Sequence, residues 1–196
     1  MGKVDGAQVP SDRELVLLAR KGDLAAFDEL VRRYQRRATA VAYRLLSNRD
    51  DAMEVAQEAF LRAYDRLKTL DDPAKFGSWL LRTLSNLALN RRRARALRRA
   101  ASLDVAMEDE TAFGENRPDG RTPTPLQQAA GRDMRLFLRD AIDRLPDEQR
   151  QALILFSIEK MPQKQVAEIL QCSVETVKWN VFLARKRLKI VLRNLM

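Results

Sequence analysis

Apolar residues between positions 12 and 101 recur at steps of three and four, which predicts amphipathic helices. Ser11 and Glu14 form a capping box ahead of Leu15, Leu17 and Leu18. Asp23 suits the cap of a long second helix carrying Phe27, Leu30, Val31, Tyr34, Val41, Ala42 and Leu45. Ser47-Asn48 breaks that helix. Asp50 and Asp51 start a third, with Val55, Ala56, Ala59, Phe60, Ala63 and Leu67. Asp71-Asp72-Pro73 predicts a turn, because Pro73 disfavours helix at Asp72 and has no backbone donor. A fourth helix follows with Phe76, Trp79, Leu80, Leu84, Leu87 and Ala88.

The second periodic block is residues 162–188. Val166, Ile169 and Leu170 form one stripe, Gln171-Cys172-Ser173 interrupts it, and Ser173 is placed to cap the next helix. Val177, Val181, Ala184 and Leu188 then recur at steps of four, three and four, a buried face. Two short helices with such a break predict a helix-turn-helix. The second helix also carries Lys178, Trp179, Asn180, Phe182, Arg185 and Lys186. That mixture suits a major groove, with cations for phosphates, an amide for base edges and apolar faces for thymine methyls. A helical hairpin with a solvated basic face gives the same pattern, so the segment alone leaves both readings open.

Between the blocks the composition changes. Residues 102–130 hold six acidic and two basic residues, three prolines and two glycines, a linker without a core of its own. The chain therefore reads as all-α: a tail at 1–11, a helical domain at 12–101, a flexible acidic linker at 102–130 and a second helical domain at 131–196.

Charge narrows the partner. The 196 residues carry 36 Lys+Arg against 27 Asp+Glu, with +8 on the first domain, −4 on the linker and +5 on the second. Such a balance favours nucleic acid or an anionic membrane surface. Arg91, Arg92, Arg93, Arg95, Arg98 and Arg99 put six arginines in nine residues at the end of the fourth helix. Phosphate contact explains that density better than a solvated helix end does. No apolar run approaches the roughly 18 residues of a membrane span, and residues 1–11 do not make a signal peptide. Membrane insertion is not expected, and a single cysteine fits a reducing cytoplasm. Histidine is absent, which removes the commonest general base and metal ligand. No Gly-rich phosphate loop is present. No catalytic, metal or cofactor site is expected. Cys172 reads as a small core residue, and Trp79 as core more than as a stacking platform.

Three stretches carry a resemblance. Residues 51–64, DAMEVAQEAFLRAY, resemble the polymerase-binding helix of bacterial sigma factors. Residues 76–92, FGSWLLRTLSNLALNRR, resemble the adjoining promoter-melting helix. Leu145-Pro146-Asp147-Glu148-Gln149-Arg150 is similar to the entry of the sigma C-terminal domain, which the helix-turn-helix completes. Order and spacing match the small two-domain, extracytoplasmic-function class over roughly residues 12–192.

The resemblance implies a protein that is not an enzyme but gives core RNA polymerase its promoter choice. Asp51, Glu54, Gln57, Glu58 and Arg62 would dock on a coiled coil of the largest polymerase subunit, although a plain salt-bridged surface helix explains those charges equally well. The −10 element would be melted and a flipped base held by Asp71, Asp72 and Lys75 of the loop together with Asn86 and Asn90, whose amides share a helix face. Arg91, Arg92 and Arg93 would hold the separated strands. Ser173, Glu175, Thr176, Lys178, Trp179, Asn180, Phe182, Arg185 and Lys186 would read the −35 element as duplex. The chain departs from the family in three places. Asn90 stands where aspartate is frequent, Trp179 and Asn180 where serine and arginine are more usual, and Leu183 where a second arginine is common. Leu183 and Phe182 fit an apolar patch for a regulator as an alternative. A separate anti-sigma protein is an expected partner. The acidic linker is either a nucleic-acid mimic in a polymerase channel or a plain tether. Two other classes compete with the sigma reading: a stand-alone helix-turn-helix regulator with a helical sensor domain, and a helical RNA-binding scaffold.

Overall fold

The computed structural model describes residues 9–101 and 136–193, and for 99–101 the backbone alone. The linker predicted at 102–130 lies outside the described residues. Four helices precede it: α1 (Asp12–Arg20), α2 (Leu24–Leu46), α3 (Arg49–Asp65) and α4 (Phe76–Ala101), with two 3-10 turns (Leu67–Thr69 and Pro73–Lys75) between the last two. After it come α5 (residues 136–143), α6 (Asp147–Leu153), a π turn (Ile154–Ile158), α7 (Gln163–Leu170) and α8 (Val174–Arg193). Among the described residues there is no strand.

Local chemistry explains most of the boundaries. Ser11 and Glu14 make the reciprocal capping box. The Asp23 side chain accepts from the Ala26 amide at 3.1 Å. The third helix begins earlier than the sequence suggests, because the Asn48 side chain caps it by accepting from the Asp51 amide at 2.9 Å. In α1 the buried stripe is Leu15, Val16 and Ala19, while Leu17 and Leu18 are exposed. Only the first of the three leucines lies on the face that meets α2.

The helices of the first domain wrap Leu30, Phe76, Leu80 and Leu84, all fully buried. Each such side chain contributes about 1.5–3 kcal/mol relative to an exposed one. Gly77 is required by packing: a Cβ there would lie 2.6 Å from the Tyr34 ring. Tyr34 in turn donates to Asp12, which also receives Arg33 at 3.0 Å, so one carboxylate ties α1 to α2. Burial, followed by the Asp12 contact, pushes the Tyr34 phenol far above its ordinary pKa and keeps it a neutral donor.

The two domains pack against each other through a continuous apolar cluster that runs from Leu15 to Val181. Polar groups seam the contact. Arg150 is 1% exposed, and its guanidinium pairs with Asp143 and donates at 3.2 Å to both the Arg44 carbonyl and Ser47 Oγ. Ser47 Oγ donates to Asp143 at 2.7 Å. Arg92 meets Asp147 at 2.9 Å, and Glu159 receives Arg37 at 3.4 Å as well as Arg44. Glu159 directly follows the π turn as its C-terminal cap residue.

Candidate nucleic-acid interface

Three surfaces carry the residues selected from the sequence. The first is the outer side of α3. Val55, Ala59 and Phe60 point inward, which leaves Glu54, Gln57 and Glu58 exposed. Glu58 pairs with Arg62 one turn on, at 2.6 Å. Asp51 and Glu54 are both held by Arg91, and Asp51 also meets Arg95 at 3.9 Å. The arginine run of α4 thus reaches across to α3. Met53 and Leu61 are exposed on the same side of α3, 46% and 60%. Their positions at four-residue steps around Gln57 were the available signal, and the charges beside them masked it.

The second surface is a cleft of about 800 Å³ between the 3-10 turns and the start of α4. Asp71, Asp72, Lys75 and Asn86 line it, as the sequence suggests, together with Trp79. The Asp72 side chain is also committed locally, accepting from the Ala74 amide at 3.1 Å. Trp79 packs one side on the core, 6.3 Å from the Phe76 ring, and borders the cleft with the other. Arg62, Arg66 and Arg82 add cations that the sequence reading left out of the cleft. Arg82 precedes Asn86 by one helical turn, a spacing that could have revealed it. Asn90 is exposed one turn beyond Asn86. Arg91 and Arg92 are half-buried in the ion pairs given above, and exposed Arg93 lies 3.8 Å from Asp147.

The cleft has a wall from the second domain. Glu168 and Gln171 of α7 and its C-cap line it, and Glu168 pairs with Lys75 at 3.2 Å. Gln165 donates to Ser78 Oγ at 2.7 Å, and Gln151 donates to the Ser85 carbonyl at 3.2 Å. In the seam with Arg150, burial raises the Asp143 carboxyl against the lowering effect of Ser47 and Arg92.

The third surface is α8. Gln171 takes the left-handed conformation that ends α7, and Ser173 Oγ accepts from the Thr176 amide at 3.0 Å to start α8. Ser173 and Thr176 also bond through their hydroxyls at 2.9 Å. Val177, Val181 and Ala184 are buried. Glu175, Lys178, Trp179, Phe182, Arg185 and Lys186 are exposed. Asn180 is not: it is 9% exposed, three residues after Val177 and four before Ala184, and so turns inward with them. Arg185 donates to Ser157 Oγ at 3.1 Å and lies over the Phe156 ring. Cys172 packs partly buried on the core, and burial raises its thiol pKa.

Comparison with known proteins follows this division. Residues 30–98 match the Sigma-70 region 2 family and residues 137–188 match Sigma-70 region 4. RNA polymerase sigma-H factor of Pseudomonas aeruginosa is 32% identical over 94% of this chain and 95% of its own length. ECF RNA polymerase sigma factor SigW of Bacillus subtilis is 32% identical over 90% and 94%. The chain belongs to the extracytoplasmic-function sigma factors. Its function is accordingly to join core RNA polymerase and direct promoter-specific initiation, which sets the stand-alone regulator aside. As a family, sigma factors are not enzymes. CnrH, solved in complex with the cytosolic domain of CnrY, shares the fold of this sigma factor with a TM-score of 0.68 at 23% identity, covering 94% of this chain and 99% of CnrH. The sigma factor RpoE, solved with the anti-sigma factor NepR from Bartonella quintana, gives 0.64 at 23%, covering 85% and 96%. Among the described residues no helix is long and apolar enough to cross a membrane.

Proposed function

We propose that this sigma factor divides its work among the three surfaces. The outer side of α3, with Asp51, Glu54, Gln57, Glu58 and Arg62, docks on core polymerase. The cleft and α4 open the −10 element, with Asn86 and Asn90 reading an exposed base edge, Lys75 beside them, and the arginines from Arg91 onward holding backbone. The exposed side of α8 reads the −35 element in duplex form. The observation that carries this division is a difference in shape: the Asn86 region is a concave, cation-rimmed cleft, which suits a base taken out of the stack, whereas α8 is a convex helix face, which suits a groove.

A duplex spanning both elements places them about 25 base pairs apart, roughly 85 Å at 3.4 Å per step. Helices α4 and α7 are in contact, so binding both elements at once parts the domains. The acidic linker is then the tether that spans the gap. A cytoplasmic location for this chain and a separate anti-sigma protein as its antagonist are part of this reading; both similar solved structures hold a second protein, in one an anti-sigma factor.

The docking surface is tested with purified core polymerase. The wild-type chain should be retained on immobilised core. Combined Glu54→Lys and Glu58→Lys should abolish most retention without changing helical content, since both side chains face solvent. Undiminished retention of the double variant would overturn the assignment of α3.

A further inference from the structure

The ring centroids of Trp179 and Phe182 lie 5.6 Å apart with the planes inclined by 24°, a stacked pair. Neither ring is packed into the core: the residues are 59% and 55% exposed. Positions 178, 179, 182, 185 and 186 share one side of α8 at steps of three and four. The stack is therefore an apolar tip set among Lys178, Arg185 and Lys186, with Glu175 the single acid on that side.

Two of the polar readers expected on α8 are otherwise engaged. An asparagine reads adenine through a bidentate amide, but Asn180 is turned into the core. An arginine reads guanine, but Arg185 is drawn toward Ser157 and Phe156. Lys178 and Lys186 are point charges suited to phosphates. Aromatic surface is then the largest group on this side left to meet the base edges, beside the Glu175 carboxylate and the Thr176 hydroxyl. The apolar group on a base edge in the major groove is the C5 methyl of thymine.

We propose that Trp179 and Phe182 are specificity-determining residues that select the −35 element by its thymine methyl groups. This rests on the assignment of α8 as the −35 reader. The cationic surround of the stack favours DNA as the occupant over an apolar protein surface, because a polyanion neutralises Lys178 and Lys186 as the rings are covered.

The test begins with holoenzyme assembled from core polymerase and the full chain, used to select promoters from a pool randomised across the −35 region. A preferred sequence with thymine on one strand or the other is expected. Each such thymine is then replaced by uracil, which removes the methyl and leaves every hydrogen-bonding group. One or two replacements should each weaken promoter binding about fourfold, the effect of one buried apolar carbon. Trp179→Ala and Phe182→Ala, both at exposed positions, should bind less well and lose the discrimination at the matching thymine. Selection of a −35 sequence that tolerates uracil throughout would overturn the proposal and leave α8 as the reader. Selection of no −35 sequence at all would overturn the reading of α8 itself. Full promoter affinity and full uracil sensitivity in both variants would assign the stack to a protein partner and overturn the proposal.

Discussion

The −10 and −35 surfaces differ in what touches them. Around the cleft proposed to melt the −10 element, polar groups already have partners within the chain: Lys75 with Glu168, Ser78 with Gln165, Arg91 with Asp51 and Glu54, and Arg92 with Asp147. On α8, Lys178, Trp179, Phe182 and Lys186 face solvent. On the proposed assignment, one surface would meet DNA by exchanging carboxylates for phosphates, the other by direct approach. The exchange is electrostatically natural, because a phosphate offers each cation the same charge that Asp or Glu does. The difference teaches that the cleft's cations are set by how the two domains sit together, while the outer face of α8 is set by the composition of one helix.

The strongest way to break this comparison is to remove the seam. Arg150→Ala takes the nearest cation from Asp143, leaving it Arg92 at 3.9 Å, and strips donors from the Arg44 carbonyl and Ser47. Removing one member of a buried pair costs about 3–5 kcal/mol. With Asp143 30% exposed, a loss near the lower end is expected in a denaturant titration. A loss below about 1 kcal/mol would mean that the seam contributes little.

Next in size is the helix junction under the cleft. Gly77→Ala forces a methyl toward the Tyr34 ring and should destabilise the first domain by about 1–3 kcal/mol, the usual cost of overpacking. The Tyr34–Asp12 bond should be disturbed with it, which lets the Tyr34 phenol ionise at lower pH in an alkaline absorbance titration than it does in the wild type.

The smallest effect sharpens the comparison most finely. Lys75 and Glu168 are both about half exposed, so their pair contributes at most about 1 kcal/mol. Glu168→Gln should leave the melting temperature within a degree or two. It should raise affinity for single-stranded −10 DNA by no more than about fivefold, and leave affinity for a −35 duplex unchanged.

How far the sequence reaches depends on range. Ser11, Asp23 and Ser173 cap the helices that follow them because a cap needs only a side chain three residues away, and the period of Val177, Val181 and Ala184 identifies a buried face. Errors arise where a local rule admits two answers. Asn48 serves equally as a breaker and as a cap, and Leu17 and Leu18 follow Leu15 without lying on its face. Asn180 looked like a base reader by type, although its distance from Val177 already placed it inside. The packing of the domains is of another kind. Gln149, Arg150 and Gln151 are polar residues that a sequence assigns to the surface, yet they are buried, and the partners of Gln151 and Arg150, Ser85 and Arg44, lie 66 and 106 residues away. No local pattern encodes those pairings.

The central claim is that one domain opens DNA and the other reads it closed. The direct measurement compares Asn86→Ala and Lys178→Ala in two assays, open-complex formation on a duplex promoter and binding of a −35 fragment over a range of salt. Asn86→Ala should cost roughly 1–3 kcal/mol in opening, the scale of a good base contact, and little in fragment binding. Lys178→Ala should weaken fragment binding and reduce its salt slope by about one unit, with a smaller effect on opening once the complex has formed. Equal effects of both substitutions in both assays would contradict the division of labour between α4 and α8.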